Sequence, residues 1–189
     1  MKKIIIIEGV DNCGKDSLIS RLKTDFNNPH IIHAGVPPEG CNLFDYYYEG
    51  LIHDTLAGYY DSKCDAVIHN RSMYGEFVYG PKYRGCIPSK VANMIYKLEI
   101  GQLRTFILSN ELYFILLTSS SVDLLAKNDD GKSISNKAAD IQDEIDSFNT
   151  IFNLSCIENK KRIFVNNGNS FRDKSDIYNE VISFITKGE

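Results

Sequence analysis

The sequence predicts a parallel three-layer α/β fold, and three observations carry that prediction. Ile4-Ile5-Ile6-Ile7 is a run of four β-branched residues, which reads as a central parallel strand buried on both faces. Glu111–Thr118 is likewise apolar without alternation, so it is a second interior strand. Between such runs lie segments whose apolar residues recur every three or four positions. Strands alternating with helices imply a parallel sheet covered by helices.

Taken in order, Gly9 opens a loop that closes at Gly14-Lys15, and Leu18, Ile19, Leu22 and Phe26 mark the first helix. Asn27-Asn28-Pro29 turns the chain into a second strand, His30–Ala34, followed by the loop Gly35–Gly40. Leu43, Phe44, Tyr47, Leu51, Ile52, Thr55, Leu56 and Tyr59 predict one long amphipathic helix over 43–60. The third strand is Asp65–His69, ending in Asn70-Arg71-Ser72. Pro88 suits a first helical turn, continued by Val91, Met94, Ile95, Leu98 and Leu103. After the strand Glu111–Thr118 comes a polar stretch, 119–136. A helix follows with Ile141, Ile145, Phe148 and Phe152 on one stripe. Arg162–Asn166 is the fifth strand, Asn167-Gly168-Asn169 a turn, and Ile177, Val181, Phe184 and Ile185 line a closing helix. There is no repeat or linker, so all 189 residues read as a single domain.

Composition narrows the function. A net charge of −4 exerts no overall pull toward nucleic acid, which makes that partner disfavoured. No apolar run reaches the ~18 residues of a membrane span. The short apolar run at the N-terminus leads straight into the glycine loop, so it is a strand and not a signal peptide. The cysteines Cys13, Cys41, Cys64, Cys86 and Cys156 show no C-x-x-C spacing, which predicts reduced thiols in a cytoplasmic protein.

The chemistry concentrates at strand ends. Strand, loop Gly9-Val10-Asp11-Asn12-Cys13-Gly14, Lys15 and helix form a phosphate-binding P-loop. A triphosphate needs many N–H donors aimed at one point, and glycines let the backbone curl around it. The helix N-terminus and Lys15 add positive charge. Asp16 stands where Ser or Thr normally ligates Mg²⁺, and a carboxylate is itself a good ligand. Ser17 points about 100° further round the helix and does not replace it. The Cys13 thiol, inside the loop, is expected to be sensitive to alkylation but to have no catalytic role. Glu39, in the loop after the second strand, is a candidate contact for a substrate hydroxyl or an arginine. Tyr46-Tyr47-Tyr48 has the faces to stack on a base, though core packing is the stronger expectation. After the third strand, Arg71, Tyr74, Tyr79, Tyr83 and Arg84 crowd into one short stretch. Arginine forks suit phosphate oxygens, and tyrosines suit bases and sugars. Residues 119–136 have the composition of a lid whose cations reach a triphosphate.

These residues resemble the thymidylate kinase-like branch of the P-loop nucleoside and nucleotide kinases. Ile7-Glu8-Gly9-Val10-Asp11 with Gly14-Lys15 is similar to that family's opening E-G-x-D-x-x-G-K. Asn70-Arg71-Ser72 stands where the family has its D-R motif, and Gly75–Gly85 is most similar to small phage-type members. The resemblance implies a five-stranded parallel sheet with helices on both faces. It implies ATP phosphates on Gly9, Asn12, Cys13, Gly14, Lys15 and the amides of Asp16 and Ser17, with lid cations Lys127 and Lys132 closing over them. It implies that Arg71 bridges donor and acceptor phosphates, with Asp11 near the acceptor sugar or phosphate. Two positions depart from the pattern: Asp16 for the Mg²⁺-binding hydroxyl, and Asn70 for the motif's aspartate.

The function expected is ATP- and Mg²⁺-dependent transfer of a phosphoryl group to a deoxynucleoside monophosphate, thymidylate-like, with Lys15, Arg71 and Asp11 catalytic. A monophosphate oxygen is already a nucleophile, so positioning and charge neutralisation suffice. Two readings stay open beside it. One is a hydroxyl acceptor, a nucleoside or 5-hydroxymethyluracil in DNA, with Glu39 or Glu8 as base. The other is a nucleotide-binding module without transfer activity. Family members are commonly dimers, so by analogy a homodimer is an expected partner arrangement, with a phage-encoded chain working in the host cytoplasm.

Overall fold

The computed structural model describes residues 2–128, 131, 133–135 and 137–186. Its centre is a five-stranded sheet in the order β2-β3-β1-β4-β5, with every neighbouring pair parallel. The strands are β1 (Lys3–Glu8), β2 (His30–His33), β3 (Ala66–Asn70), β4 (Leu112–Thr118) and β5 (Lys160–Phe164). β1 lies in the middle, and all six of its residues are buried. Register pairs Ile5 with Ile68 on one side and with Tyr113 on the other. Each isoleucine of β1 contributes about 1.5–3 kcal/mol by leaving water. The unbroken apolar run therefore becomes the axis of the core.

Helices cover both faces of the sheet. α1 (Lys15–Leu22) packs on α9 (Lys174–Thr186), while α4 (Tyr74–Arg84) packs on α5 (Pro88–Leu98) and α8 (Ala138–Leu154). α7 (Val122–Lys127), inside the polar stretch, packs on α8. A two-stranded hairpin, β6 (Asn166–Asn167) with β7 (Ser170–Phe171), replaces the simple turn expected near 168. No helix among the described residues is long and apolar enough to cross a membrane.

Two departures from the sequence reading bear on function. The helix over 43–60 is α2 (Leu43–Asp45) and α3 (His53–Tyr60), joined by a π-helical stretch at Tyr46–Ile52. Its wider turns bury Tyr47, Leu51 and Ile52 together. A second π-helical stretch, Glu99–Leu103, joins α5 to α6 (Arg104–Leu108). The crowded stretch after β3 is itself a helix, α4, with Pro81 in its interior. Gly75, Gly80 and Pro81 all oppose helix formation in isolation, so packing against α5 and α8 carries it.

Candidate functional site

The C-terminal ends of β1, β2 and β3 converge where the sheet order reverses about β1, the place open α/β sheets bind ligands. The loop leaving β1 needs its glycines for two different reasons. Gly9 has φ +145°, and a Cβ there would lie 2.3 Å from the Leu117 carbonyl oxygen. Gly14 is left-handed at φ +81°, directly before α1. Asn12 is also left-handed, at φ 63°. Successive turns of this kind wrap a loop around an anion, with the start of α1 adding its dipole. Lys15 is buried and donates to the carbonyls of Gly9 and Val10 at 2.7 and 2.8 Å. Burial, then the Arg71 charge, holds its pKa below the ordinary lysine value. An anion in the loop offers this ammonium a better partner than two carbonyls.

A cavity of about 470 Å³ opens over the loop, lined by Asp11, Asn12, Gly14, Lys15, Asp16, Ser17, Asn70, Arg71 and Ser133. Asp16 does not stand alone in it. Asn70 Nδ2 donates to Asp16 Oδ1 at 2.6 Å and lies 3.1 Å from His33 Nδ1. The two departures from the family pattern are therefore direct partners. Among the described residues, no group of three or more His, Cys, Asp or Glu side chains converges on a metal position. Mg²⁺ is commonly held by one or two carboxylates plus substrate phosphates, and Asp16 supplies that kind of oxygen beside the loop.

Arg71 joins this cavity to a second, narrower one of about 60 Å³, because its side chain lines both. Its backbone has φ 68°, strained for a residue with a side chain, and its N–H donates to the Ile7 carbonyl at 3.1 Å. The guanidinium pairs with Asp11, whose other oxygen accepts the Ile134 N–H at 3.2 Å. Burial opposes the Arg71 charge, yet Asp11, with Tyr79 and Glu8, holds its pKa above the ordinary value. Asn12 Nδ2 donates to Ser133 at 2.9 Å, so residues 133–134 are tied to the phosphate loop.

The second cavity is lined by Glu8, Tyr47, Ser72, Gly75, Glu76, Tyr79, Arg84 and Ile134, besides Arg71 and residues 34–37. Glu76 is buried and accepts from Arg84 Nε at 3.2 Å and Nη2 at 2.5 Å, and from the Tyr47 hydroxyl at 3.2 Å. A Cβ on Gly80 would lie 2.3 Å from Glu76 Oε1, so this ion pair needs the glycine. The Tyr79 hydroxyl is buried here without a hydrogen-bond partner among the described residues.

Several expected site residues lie elsewhere. Tyr74 is fully buried, stacked on Phe114 with its hydroxyl donating to Glu99 at 2.6 Å, so it is a core residue and not a substrate contact. The Tyr83 hydroxyl bonds Ser135 and donates to Glu144 at 3.2 Å; it ties the polar stretch to α8 and lines neither cavity. Glu39 and Lys127 are exposed and line neither cavity, because the chain carries both past the strand ends. Lys132 lies outside the described residues. The Cys13 side chain is 3% exposed, and burial pushes its thiol up to about 12, which removes the expected sensitivity to alkylation. Glu76, Ser72, Ser133 and Ile134 were not singled out from sequence. A carboxylate inside an aromatic stretch was a usable signal for Glu76, whereas a polar stretch offers none for Ser133 or Ile134.

No protein-family model matches the sequence, and no curated protein matches it. Among solved structures, the chain is similar to the YorR protein of Bacillus subtilis in complex with phosphorylated GDP, at TM-score 0.63 and 14% identity, covering 97% of this chain and 95% of that one. It is also similar to thymidylate kinase of Candida albicans, at TM-score 0.61 and 13% identity over 99% and 92% of the two chains. Polyphosphate kinase 2 of Arthrobacter aurescens follows at TM-score 0.60 and 10% identity, over 97% of this chain and 65% of that one. The chain therefore has the fold of the thymidylate kinases and related P-loop kinases.

Proposed function

We propose that this protein is a P-loop nucleotide kinase that transfers the γ-phosphate of ATP to a deoxynucleoside monophosphate, thymidylate-like, giving the diphosphate. The observation that carries the reading is Arg71, which lines both a phosphate-loop cavity and the tyrosine-lined cavity beside it. The likeness in fold to thymidylate kinase and to the nucleotide complex of YorR supports a nucleotide in each place.

On this reading the ATP phosphates sit on the loop from Gly9 to Ser17, and Lys15 turns from the Gly9 and Val10 carbonyls to the β- and γ-phosphates. Arg71 leaves Asp11 and spans the γ-phosphate and the acceptor phosphate. An acceptor oxygen attacks the γ-phosphorus in line, the bond to the ADP oxygen breaks, and no proton need be removed by the protein. Asp16 would hold Mg²⁺, which when bound neutralises phosphate charge. The acceptor cavity as it stands is far below the ~300 Å³ at which ligand pockets begin, so the acceptor displaces Ile134 on entry.

The test is ATP consumption with Mg²⁺ over the four deoxynucleoside monophosphates, hydroxymethyl-deoxyuridine monophosphate, the matching nucleosides, and duplex DNA with and without hydroxymethyluracil. Turnover on a monophosphate is expected, lost by about 10³-fold or more in Lys15→Ala. Asp16→Ala is expected to raise the Mg²⁺ concentration needed for half-maximal rate by tenfold or more. Unchanged Mg²⁺ dependence would remove Asp16 from the metal site. Turnover only on nucleosides or modified DNA would reassign the acceptor, and ATP binding without turnover anywhere would overturn the kinase reading.

A further inference from the structure

Glu76 and Glu8 are both buried at the acceptor cavity, but they are paired differently. Both oxygens of Glu76 are taken by Arg84, Tyr47 and Cys86. Glu8 Oε1 accepts the Ser72 N–H at 2.6 Å and the Ser72 hydroxyl at 2.8 Å. Glu8 Oε2 is buried with no hydrogen-bond partner among the described residues, on a residue only 1% exposed. A buried carboxylate oxygen left this way is costly. Glu8 and Gly75 both line the second cavity, and a Cβ on Gly75 would lie 3.8 Å from Oε2 and 3.9 Å from Oε1.

The residues that line each cavity say what would approach. Arg71 marks the end shared with the phosphate loop. Arg84, Glu76 and Tyr47 belong to the second cavity alone. Glu8 is bonded to Ser72, next to Arg71 in the chain, and its carboxylate lies against Gly75, next to Glu76 in the chain. A nucleoside monophosphate with its phosphate on Arg71 and its base toward Tyr47 and Arg84 lays its sugar across Glu8.

We propose that Glu8 is a specificity residue of the acceptor site, its Oε2 hydrogen-bonding a sugar hydroxyl of the bound nucleotide. This rests on the nucleotide-kinase reading and names the part of the acceptor that the site recognises. A sugar hydroxyl both donates and accepts, so it pairs with Oε2 in either protonation state. Because both Ser72 donors end on Oε1, a proton on this carboxyl sits on Oε2. Burial raises the Glu8 pKa to about 7, against the opposing pull of Ser72, Lys15 and Arg71, so both forms are accessible near neutrality. A phosphate oxygen would meet only repulsion from the ionised form. A sugar without hydroxyls would leave Oε2 unpaired.

The experiment measures binding and turnover of the four deoxynucleoside monophosphates and their 2′,3′-dideoxy counterparts. Wild type is compared with Glu8→Ala and with Gly75→Ala, melting temperature confirming that each variant folds. Wild type is expected to prefer the hydroxyl-bearing nucleotide by about 10- to 100-fold, the worth of one hydrogen bond to a buried, otherwise unpaired carboxyl oxygen. Glu8→Ala should bring the ratio near one. Gly75→Ala leaves Glu8 and Ser72 in place, sets a methyl against the Glu8 carboxylate on the cavity side and should reduce the ratio likewise, so the test survives if Glu8→Ala fails to fold. A wild-type ratio near one, or a ratio unchanged in a folded variant, would overturn the proposal. Hydroxyl-dependent binding without turnover would uphold it while overturning the kinase reading. Turnover with an unchanged ratio would do the reverse, and no binding of either nucleotide would overturn both.

Discussion

Glu8 and His69 sit on neighbouring strands, each buried and each favouring its neutral form. Burial pushes Glu8 from 4.5 up to about 7, although Ser72, Lys15 and Arg71 all favour its charge. Burial lowers His69 from 6.5 to about 4, with Thr55 lying 3.1 Å from its Nε2. Between about 4.5 and 7 the folded chain keeps a proton on Glu8 that the unfolded chain releases, so stability falls as pH rises. Between about 4 and 6.5 the unfolded chain protonates His69 and the folded chain does not, so stability falls as pH drops. The two slopes oppose each other where the windows overlap. Glu8→Gln removes only the first. Urea unfolding should show wild type losing about 3 kcal/mol relative to Glu8→Gln from pH 4.5 to 7. A constant difference over that range would mean that Glu8 titrates as an ordinary carboxylate. At this scale the sequence was readable where a motif fixes spacing, as for Lys15, Asp16 and Arg71. It was not readable for Tyr74 and Tyr79, five residues apart in one helix, where one faces the core and the other the cavity. Residue type alone does not report that difference.

Among the elements, α4 was not legible in the sequence. Two glycines and a proline in eleven residues oppose a helix, yet the segment is one, and both members of the Glu76–Arg84 ion pair belong to it. Gly80 shows why the glycines belong there. In an ordinary helix Gly→Ala stabilises by about 1 kcal/mol. At Gly80 the new methyl would strike Glu76 Oε1, so Gly80→Ala is expected to destabilise by about 1–3 kcal/mol and to loosen Arg84. Chemical denaturation measures it, and a gain in stability would mean that Glu76 swings clear freely. The interior strands β1, β3 and β4 were legible because interior parallel strands are apolar on both faces, and that needs no knowledge of neighbours. The π-helical turns at Tyr46–Ile52 and Glu99–Leu103 were not, because a three- or four-residue spacing is compatible with either helix.

For the molecule as a whole, the layered α/β architecture follows from alternation alone, while the joining of two cavities by one arginine follows only from the closed fold. If the larger cavity takes ATP, binding adds to global stability by mass action. At a hundredfold excess over Kd the gain is about 2.7 kcal/mol, and for a chain of this size roughly 2–4 °C in Tm per kcal/mol. Differential scanning fluorimetry should therefore show a rise of about 5–10 °C with saturating ATP, absent in Lys15→Ala. Equal shifts in the two proteins would place the nucleotide away from the phosphate loop.

The Arg71–Asp11 pair has a consequence for how the site fills. Its carboxylate already occupies the seat that a phosphate would take on the guanidinium, so ligand entry is an exchange of one anion for another. On the kinase reading the arginine is never a bare buried cation awaiting its partner, because Asp11 neutralises it until a phosphate does. Asp11 also accepts the N–H of Ile134, a residue that lines the narrow cavity. If a nucleoside monophosphate fills that cavity as proposed, its admission and the release of the arginine are two ends of one seesaw, pivoting on a single aspartate.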